Sequence, residues 1–248
     1  MVTAINKSRY GGKAFHCGAE IVEVVGPAGA GKTTLFETLE NYLPEIQTAF
    51  QPNVRNPRFI LFFIKHILLL VPTLVRLQGN NGRGLTLQEL AWMAILKGWP
   101  ELLKKKVTKD KEMILIDQGP IFLMAILSEF GPQSLRSAEA QAWWKMICDQ
   151  WTHTLDAVIL LDTSDETLTK RIRNRPKDHL VKGEKDQTIH EFLSRCRVMY
   201  DQVINQMTAN NPKISVLRFD TGKYSLDELV HEISSGIYAR KREMIRAL

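Results

Sequence analysis

The stretch Glu20-Ile21-Val22-Glu23-Val24-Val25-Gly26-Pro27-Ala28-Gly29-Ala30-Gly31-Lys32-Thr33-Thr34 decides the fold of this 248-residue chain. Residues 20–25 read as a strand, with its apolar run at 21–25, and residues 26–33 fit the pattern G-x-x-x-x-G-K-S/T at every fixed position. Leu35, Phe36, Leu39 and Leu43 then fall at helical spacing. Strand, glycine-rich loop and helix in this order make a cradle for phosphate. Glycines let the loop curl so that its N–H groups converge, and the helix start adds the positive end of its dipole. Lys32 is placed to reach the β- and γ-phosphates of a nucleoside triphosphate, and the Thr33 hydroxyl to bind Mg²⁺. The candidate ATP-binding set is therefore Gly26, Pro27, Ala28, Gly29, Ala30, Gly31, Lys32, Thr33 and Thr34.

Further strand-like apolar runs occur at 113–116, 157–161 and 214–219, with a weaker one near 47–51, and helical stretches lie between them. That alternation predicts an α/β fold with a parallel sheet covered by helices on both faces, whose ligands collect at the carboxyl ends of the strands. At 44% apolar content the chain can bury one substantial core, which suits a single domain over 19–248 with a lid at about 171–187. The lid expectation rests on the polar run 176–187, which includes Asp178, His179, Lys182, Gly183 and Glu184 and reads as a mobile excursion between helices. Residues 1–18 carry Lys7, Arg9 and Lys13 but no apolar core, so they read as a loose tail and not as a secretory signal.

The 33 basic residues exceed the 27 acidic ones by 6, an excess that suits anionic ligands but is too diffuse to require nucleic acid. The cluster Lys104, Lys105, Lys106, Lys109 and Lys111 lacks interleaved aromatics and reads as a solvated helix end. Cys17, Cys148 and Cys196 are scattered and odd in number, which suggests neither a disulfide framework nor a zinc site and suits a reducing cytoplasm. Residues 59–75 are the most apolar in the chain. Lys65 and His66 interrupt the run and Pro72 would kink it, so a membrane-spanning helix is not expected. The leading expectation is a helix packed all round in the core or at a dimer interface. A hydrophobic acceptor pocket, or contact with a hydrophobic partner or membrane surface aided by Arg55, Arg58, Arg76 and Arg83, is the other.

Beyond the loop, Asp117 ends the apolar run 113–116, where it can hold the Mg²⁺ shell or take a proton from an attacking hydroxyl. The alternative is an aspartate that caps the next helix, since Asp before Gly119-Pro120 also favours a turn. Asp162 ends a second such run and is read as structural, because Thr163-Ser164-Asp165-Glu166 looks like a helix start. Arg171 and Arg175, four positions apart, share one helix face. Their guanidinium groups suit stacking on a base and neutralising a transferring phosphoryl group; the competing reading is a solvated basic helix end.

The order of phosphate loop, Asp117, residues 161–168 and then Lys170-Arg171-Ile172-Arg173-Asn174-Arg175 resembles the thymidylate kinase and deoxynucleoside kinase group of P-loop kinases. Residues 191–200 are similar to the helix after their lid. The resemblance implies a three-layer sandwich around a five-stranded parallel sheet of order 2-3-1-4-5. It also implies an ATP-Mg²⁺ donor site, a lid whose arginines correspond to Arg171 and Arg175, and a loop with Thr221 and Gly222 beside the adenine. Dimerisation through helices beside the sheet is implied for residues 59–75 and 85–99. The chain departs from the pattern twice. Gln51 stands where deoxynucleoside kinases carry a catalytic glutamate, and Asp117-Gln118-Gly119-Pro120 lacks the arginine that helps hold their acceptor. Thymidylate kinases bind the acceptor phosphate through arginines, a function that Arg55, Arg58 or Arg83 could replace.

The expected function is an ATP-dependent kinase with Lys32, Asp117, Arg171 and Arg175 as catalytic candidates and Thr33 and Asp117 as Mg²⁺ ligands. A nucleoside or nucleoside monophosphate is the first choice of acceptor, followed by a non-nucleotide alcohol or phosphate. An ATP-driven switch acting on a protein or membrane partner is the alternative from another class.

Overall fold

The computed structural model describes residues 19–246 apart from 44, 78–81, 107–112 and 177. The tail expected at 1–18 and two lysines of the basic cluster, Lys109 and Lys111, lie outside the described residues. Five parallel strands form one sheet: β1 (Glu20–Val25), β2 (Ile46–Ala49), β3 (Met113–Asp117), β4 (Ala157–Asp162) and β5 (Ser215–Asp220), ordered β2-β3-β1-β4-β5. The expected order 2-3-1-4-5 is therefore the observed one. Between and after them run α1 (Lys32–Tyr42), α2 (Ile60–Leu77), α3 (Leu87–Lys106), α4 (Pro120–Phe130), α5 (Gln141–Thr152), α6 (Asp165–Arg173), α7 (Asp186–Asn210) and α8 (Leu226–Arg246).

Strand β1 is central and buried along its whole length, as a strand covered on both faces must be. Its alternate side chains part to two cores. Ile21 and Val25 join residues of α2 to α5 and the later part of α7, while Val22 and Val24 pack with α1, α6 and α8. Glu23 interrupts this pattern. It is wholly buried on the α4 side, and its two carboxyl oxygens accept the N–H groups of Ile121 (2.8 Å) and Phe122 (3.0 Å). Helix α4 begins after Gly119, which supplies no side-chain cap, so β1 caps α4 from across the core. The option that Asp117 caps this helix is thereby corrected: a carboxyl from the neighbouring strand already does so.

Helix α2 corrects the expectation of packing on all sides. Phe63, His66, Leu70 and Leu77 are buried, whereas Leu61, Ile64, Leu68 and Val75 are at least half exposed. The polar interruptions are accounted for on the inner edge: Lys65 pairs with Glu101 of α3 at 2.7 Å, and the His66 ring lies against Gly98. Residues 85–99, expected at a dimer interface, instead lie largely in the core through Ala91, Met93, Ala94, Ile95, Leu96 and Trp99.

Burial, opposed by the two backbone donors, pushes the Glu23 carboxyl up from 4.5 to about 8. The folded state thus holds this proton more tightly than the unfolded chain does. The resulting stability is fully present below about pH 4.5 and is lost as the pH rises through 8. Urea unfolding across this range should show that decline in the native protein and a flatter profile in Glu23→Gln. Glu23→Ala leaves two buried N–H groups without an acceptor and should cost about 2 kcal/mol at pH 5.

Candidate functional site

Four helices follow strands at the carboxyl edge of the sheet, after β1, β3, β4 and β5, and only one of them starts without a side-chain cap. Glu23 caps α4, Ser164 Oγ accepts the Thr167 N–H at α6, and Ser225 and Glu228 form a reciprocal capping box at α8. Helix α1 has no cap and no acidic residue in its first turn. Among the described residues, the N–H groups of Gly29, Gly31, Lys32, Thr33 and Thr34 have no acceptor, while that of Ala30 bonds the Pro27 carbonyl at 3.3 Å. An uncapped helix start with converging free donors is a site for an anion.

The loop geometry follows from its glycines. Gly26 has φ +150°, and a Cβ there would lie 2.1 Å from the Leu161 carbonyl oxygen of β4. Gly29 has φ +84° and sits against the Leu168 carbonyl and the Arg171 Cβ, so the loop packs directly on α6. Lys32 folds back across this curl, its Nζ donating to the carbonyls of Gly26 (2.6 Å) and Pro27 (2.9 Å). Desolvation pushes its ammonium down from 10.5 to about 8, against the pull of the Asp117 carboxylate and with the help of the Arg175 guanidinium. Ala28 is half-buried, Ala30 is fully buried, and the Thr33 and Thr34 side chains are exposed at the helix start.

Asp117 ends β3 beside Val24 in register, two residues before Gly26. Its side chain accepts no hydrogen bond among the described residues, and its charge reaches Lys32 and Glu23. The next residue, Gln118, adopts φ +50°, an uncommon conformation for a side chain larger than glycine. Its carbonyl accepts the Gln51 amide, so the residue in the glutamate position of the resembled family is tied to the Asp117 turn. Asp162 is structural, as expected. Arg197 of α7 grips it through Nε (2.7 Å) and Nη2 (3.1 Å) and reaches Asp165 at 2.6 Å.

Arg171 donates to the Gly29 carbonyl at 3.2 Å and to the Thr221 hydroxyl and carbonyl at 2.9 and 3.1 Å. It therefore joins the phosphate loop to the β5–α8 turn, where the Gly222 N–H is held by Asp220 at 3.0 Å. Arg175 follows the end of α6, near enough for its charge to act on Lys32 and His179. The described part of the segment expected as a lid consists of the end of α6, turn-rich stretches at 174–176 and 178–185, and the start of α7. Val181 anchors the second stretch in the core, and Lys182 Nζ bonds the Arg175 carbonyl at 2.5 Å.

Three participants escaped the sequence reading. Glu23 was visible as an acid in the middle of an apolar strand, but its target 98 positions away was not. Arg197 had no local signal for its partners. His179, read in the sequence only as part of the polar run, lies close enough for Arg175 and Lys32 to add to the burial that lowers its pKa. Arg83, a candidate for acceptor phosphate, is corrected: its fork is held by Glu89 at 2.6 and 2.8 Å and by the Phe130 carbonyl. That pair pulls Glu89 down to about 2. A groove of about 300 Å³ on α6 and α7, lined by Glu166, Lys170, Arg173 and His190 among others, contains none of the predicted site residues.

No protein-family model matches the chain, and no characterised protein matches it by sequence. By structure it is similar to thymidylate kinase from Candida albicans, with a TM-score of 0.54 and 14% identity over 90% of this chain and 93% of that one. It is also similar to deoxyadenosine kinase from M. mycoides with products dCMP and dCDP bound, with a TM-score of 0.50 and 16% identity over 88% and 99%. The sheet order, the phosphate loop after β1 and these likenesses define a P-loop kinase fold.

Because burial pushes the Lys32 ammonium down to about 8, phosphate oxygens placed against it should raise its pKa. Calorimetry of ATP binding at pH 9, repeated in buffers of different ionisation enthalpy, should therefore show proton uptake. The same titration with Lys32→Ala should show none, and native affinity should weaken as the pH rises past 8.

Proposed function

We propose that this protein is an ATP-dependent phosphotransferase that moves the γ-phosphoryl group to an oxygen of a small molecule, most simply a nucleoside or nucleoside monophosphate. The observation that carries this reading is the uncapped start of α1, with its free loop amides and with Lys32 within reach of the charges of Asp117 and Arg175. The structural likeness to nucleotide and nucleoside kinases supports it.

In this reading the loop amides and Lys32 bind the β- and γ-phosphates, and Arg171 and Thr221 with Gly222 flank the base. The exposed Thr33 hydroxyl and the Asp117 carboxylate, which accepts no hydrogen bond among the described residues, suit a hard cation, so these two residues would hold Mg²⁺. The ion would neutralise charge on the phosphates. Asp117 also takes the proton of the attacking hydroxyl where the acceptor is an alcohol. Arg175 balances the equatorial charge of the phosphoryl group in transfer, a contribution of position and electrostatics. A reducing, cytoplasmic setting suits the free buried thiols of Cys148 and Cys196.

A second reading, in which the acceptor is not a nucleotide, is favoured by one observation. Gln51 is bound to the Gln118 carbonyl and Arg83 is occupied by Glu89, so neither serves the acceptor as its counterparts would in the resembled family. Incubation with γ-labelled ATP and separate sets of nucleosides, nucleoside monophosphates and amphiphilic alcohols distinguishes these acceptors. Label released only as inorganic phosphate, and only when a protein partner is added, would point to a switch. Lys32→Ala should lower transfer by about 10²–10³-fold while leaving thermal unfolding nearly unchanged. Unaltered transfer by that variant would overturn the phosphate-loop mechanism.

A further inference from the structure

Helix α2 exposes Leu61 (80%), Ile64 (51%), Leu68 (64%), Val71 (44%) and Val75 (60%), an apolar stripe at alternating spacings of three and four that runs the length of the helix. Ile60 and Leu69 widen it to a continuous face. By length and composition the helix could cross a membrane, but its opposite face is already used. Phe63, Leu70 and Leu77 are buried and Lys65 is paired to α3, so the helix is held side-on to the body of the protein.

Charge identifies what covers the exposed face. Between Glu45 and Glu89 there is no acidic residue, while Arg55, Arg58, Lys65, Arg76 and Arg83 are all basic. Lys65 and Arg83 are neutralised by Glu101 and Glu89. Arg55 and Arg58 precede the helix and Arg76 lies one heptad after Leu69, at the border of the apolar stripe. All three are exposed and without an acidic partner among the described residues. A second copy of this chain would oppose the same acid-free basic segment. The eighteen N-terminal residues, with three cations and no acid, would fare no better. An anionic surface with an apolar layer beneath it matches both features at once.

We propose that the α2 face is a docking surface for an anionic lipid bilayer, with its aliphatic stripe in the interfacial layer and Arg55, Arg58 and Arg76 against the headgroups. The protein lies on the membrane and does not span it.

Sedimentation of the full chain with vesicles of phosphatidylcholine, alone or mixed with phosphatidylserine, tests this. Binding is expected only to the mixed vesicles and should weaken as salt is raised. Removing all three cations, as Arg55→Ala, Arg58→Ala and Arg76→Ala together, should weaken it about a hundredfold, the product of roughly fivefold for each. Leu61→Glu with Leu68→Glu should abolish it, and thermal unfolding should show that these exposed positions leave the fold intact. An independent probe, Leu68→Trp, should shift its emission to the blue when mixed vesicles are added. Absence of vesicle binding, binding equal on both vesicle types, or a dimer that dissociates on Leu61→Glu with Leu68→Glu would each overturn the proposal. The last outcome would assign the face to a second copy of this chain.

Discussion

The structure turns on one helix start that is left open. Backbone N–H groups at the beginning of a helix have no partner within the helix, and proteins ordinarily satisfy them with a side chain. At the carboxyl edge of this sheet that rule is followed at α4, α6 and α8 and broken at α1. The break is built in, because Gly26 lies so close to β4 that a side chain there would collide, and Gly29 holds a left-handed backbone, φ +84°, against α6. Free donors, a dipole end and an ammonium then face one space.

The ionisable groups around that space are balanced against one another. Glu23 is buried to cap α4 and resists ionisation; Lys32 is desolvated and resists protonation; Asp117 lies within reach of both. The carboxyl and the amine are pushed in the directions that burial dictates, each toward its neutral form. Arg171, by contrast, is spent on carbonyls and a hydroxyl, which ties α6, the phosphate loop and the turn after β5 into one unit. The structural arginines 83 and 197 are paired with carboxylates, whereas the Arg175 side chain, close enough for its charge to act on Lys32, makes no hydrogen bond or ion pair among the described residues.

Helix α2 shows how similar composition leads to different packing. Helix α4 is also strongly apolar, and it is buried through Ile121, Leu123, Met124, Ala125 and Leu127 between the sheet and α7. Helix α2 packs mainly on α3, on one side, and keeps its other face open. Two apolar helices of one chain thus meet different fates because only one of them has a layer outside it.

Much of the architecture was legible in the residues themselves. A complete phosphate-loop pattern between an apolar run and a helical spacing, followed by further apolar runs alternating with helices, is enough to determine a parallel α/β sheet and the strand end at which ligands gather. Local patterns suffice there because strand burial and the loop's conformation depend on residues adjacent in sequence. The sequence alone could not decide which partners distant charges would choose. Glu23 with the start of α4, Arg197 with Asp162 and Asp165, Arg83 with Glu89 and Phe130, and the open face of α2 all depend on what chain closure brings alongside. Only the tertiary structure decided these, because burial and charge pairing are properties of surroundings assembled from segments far apart in the chain.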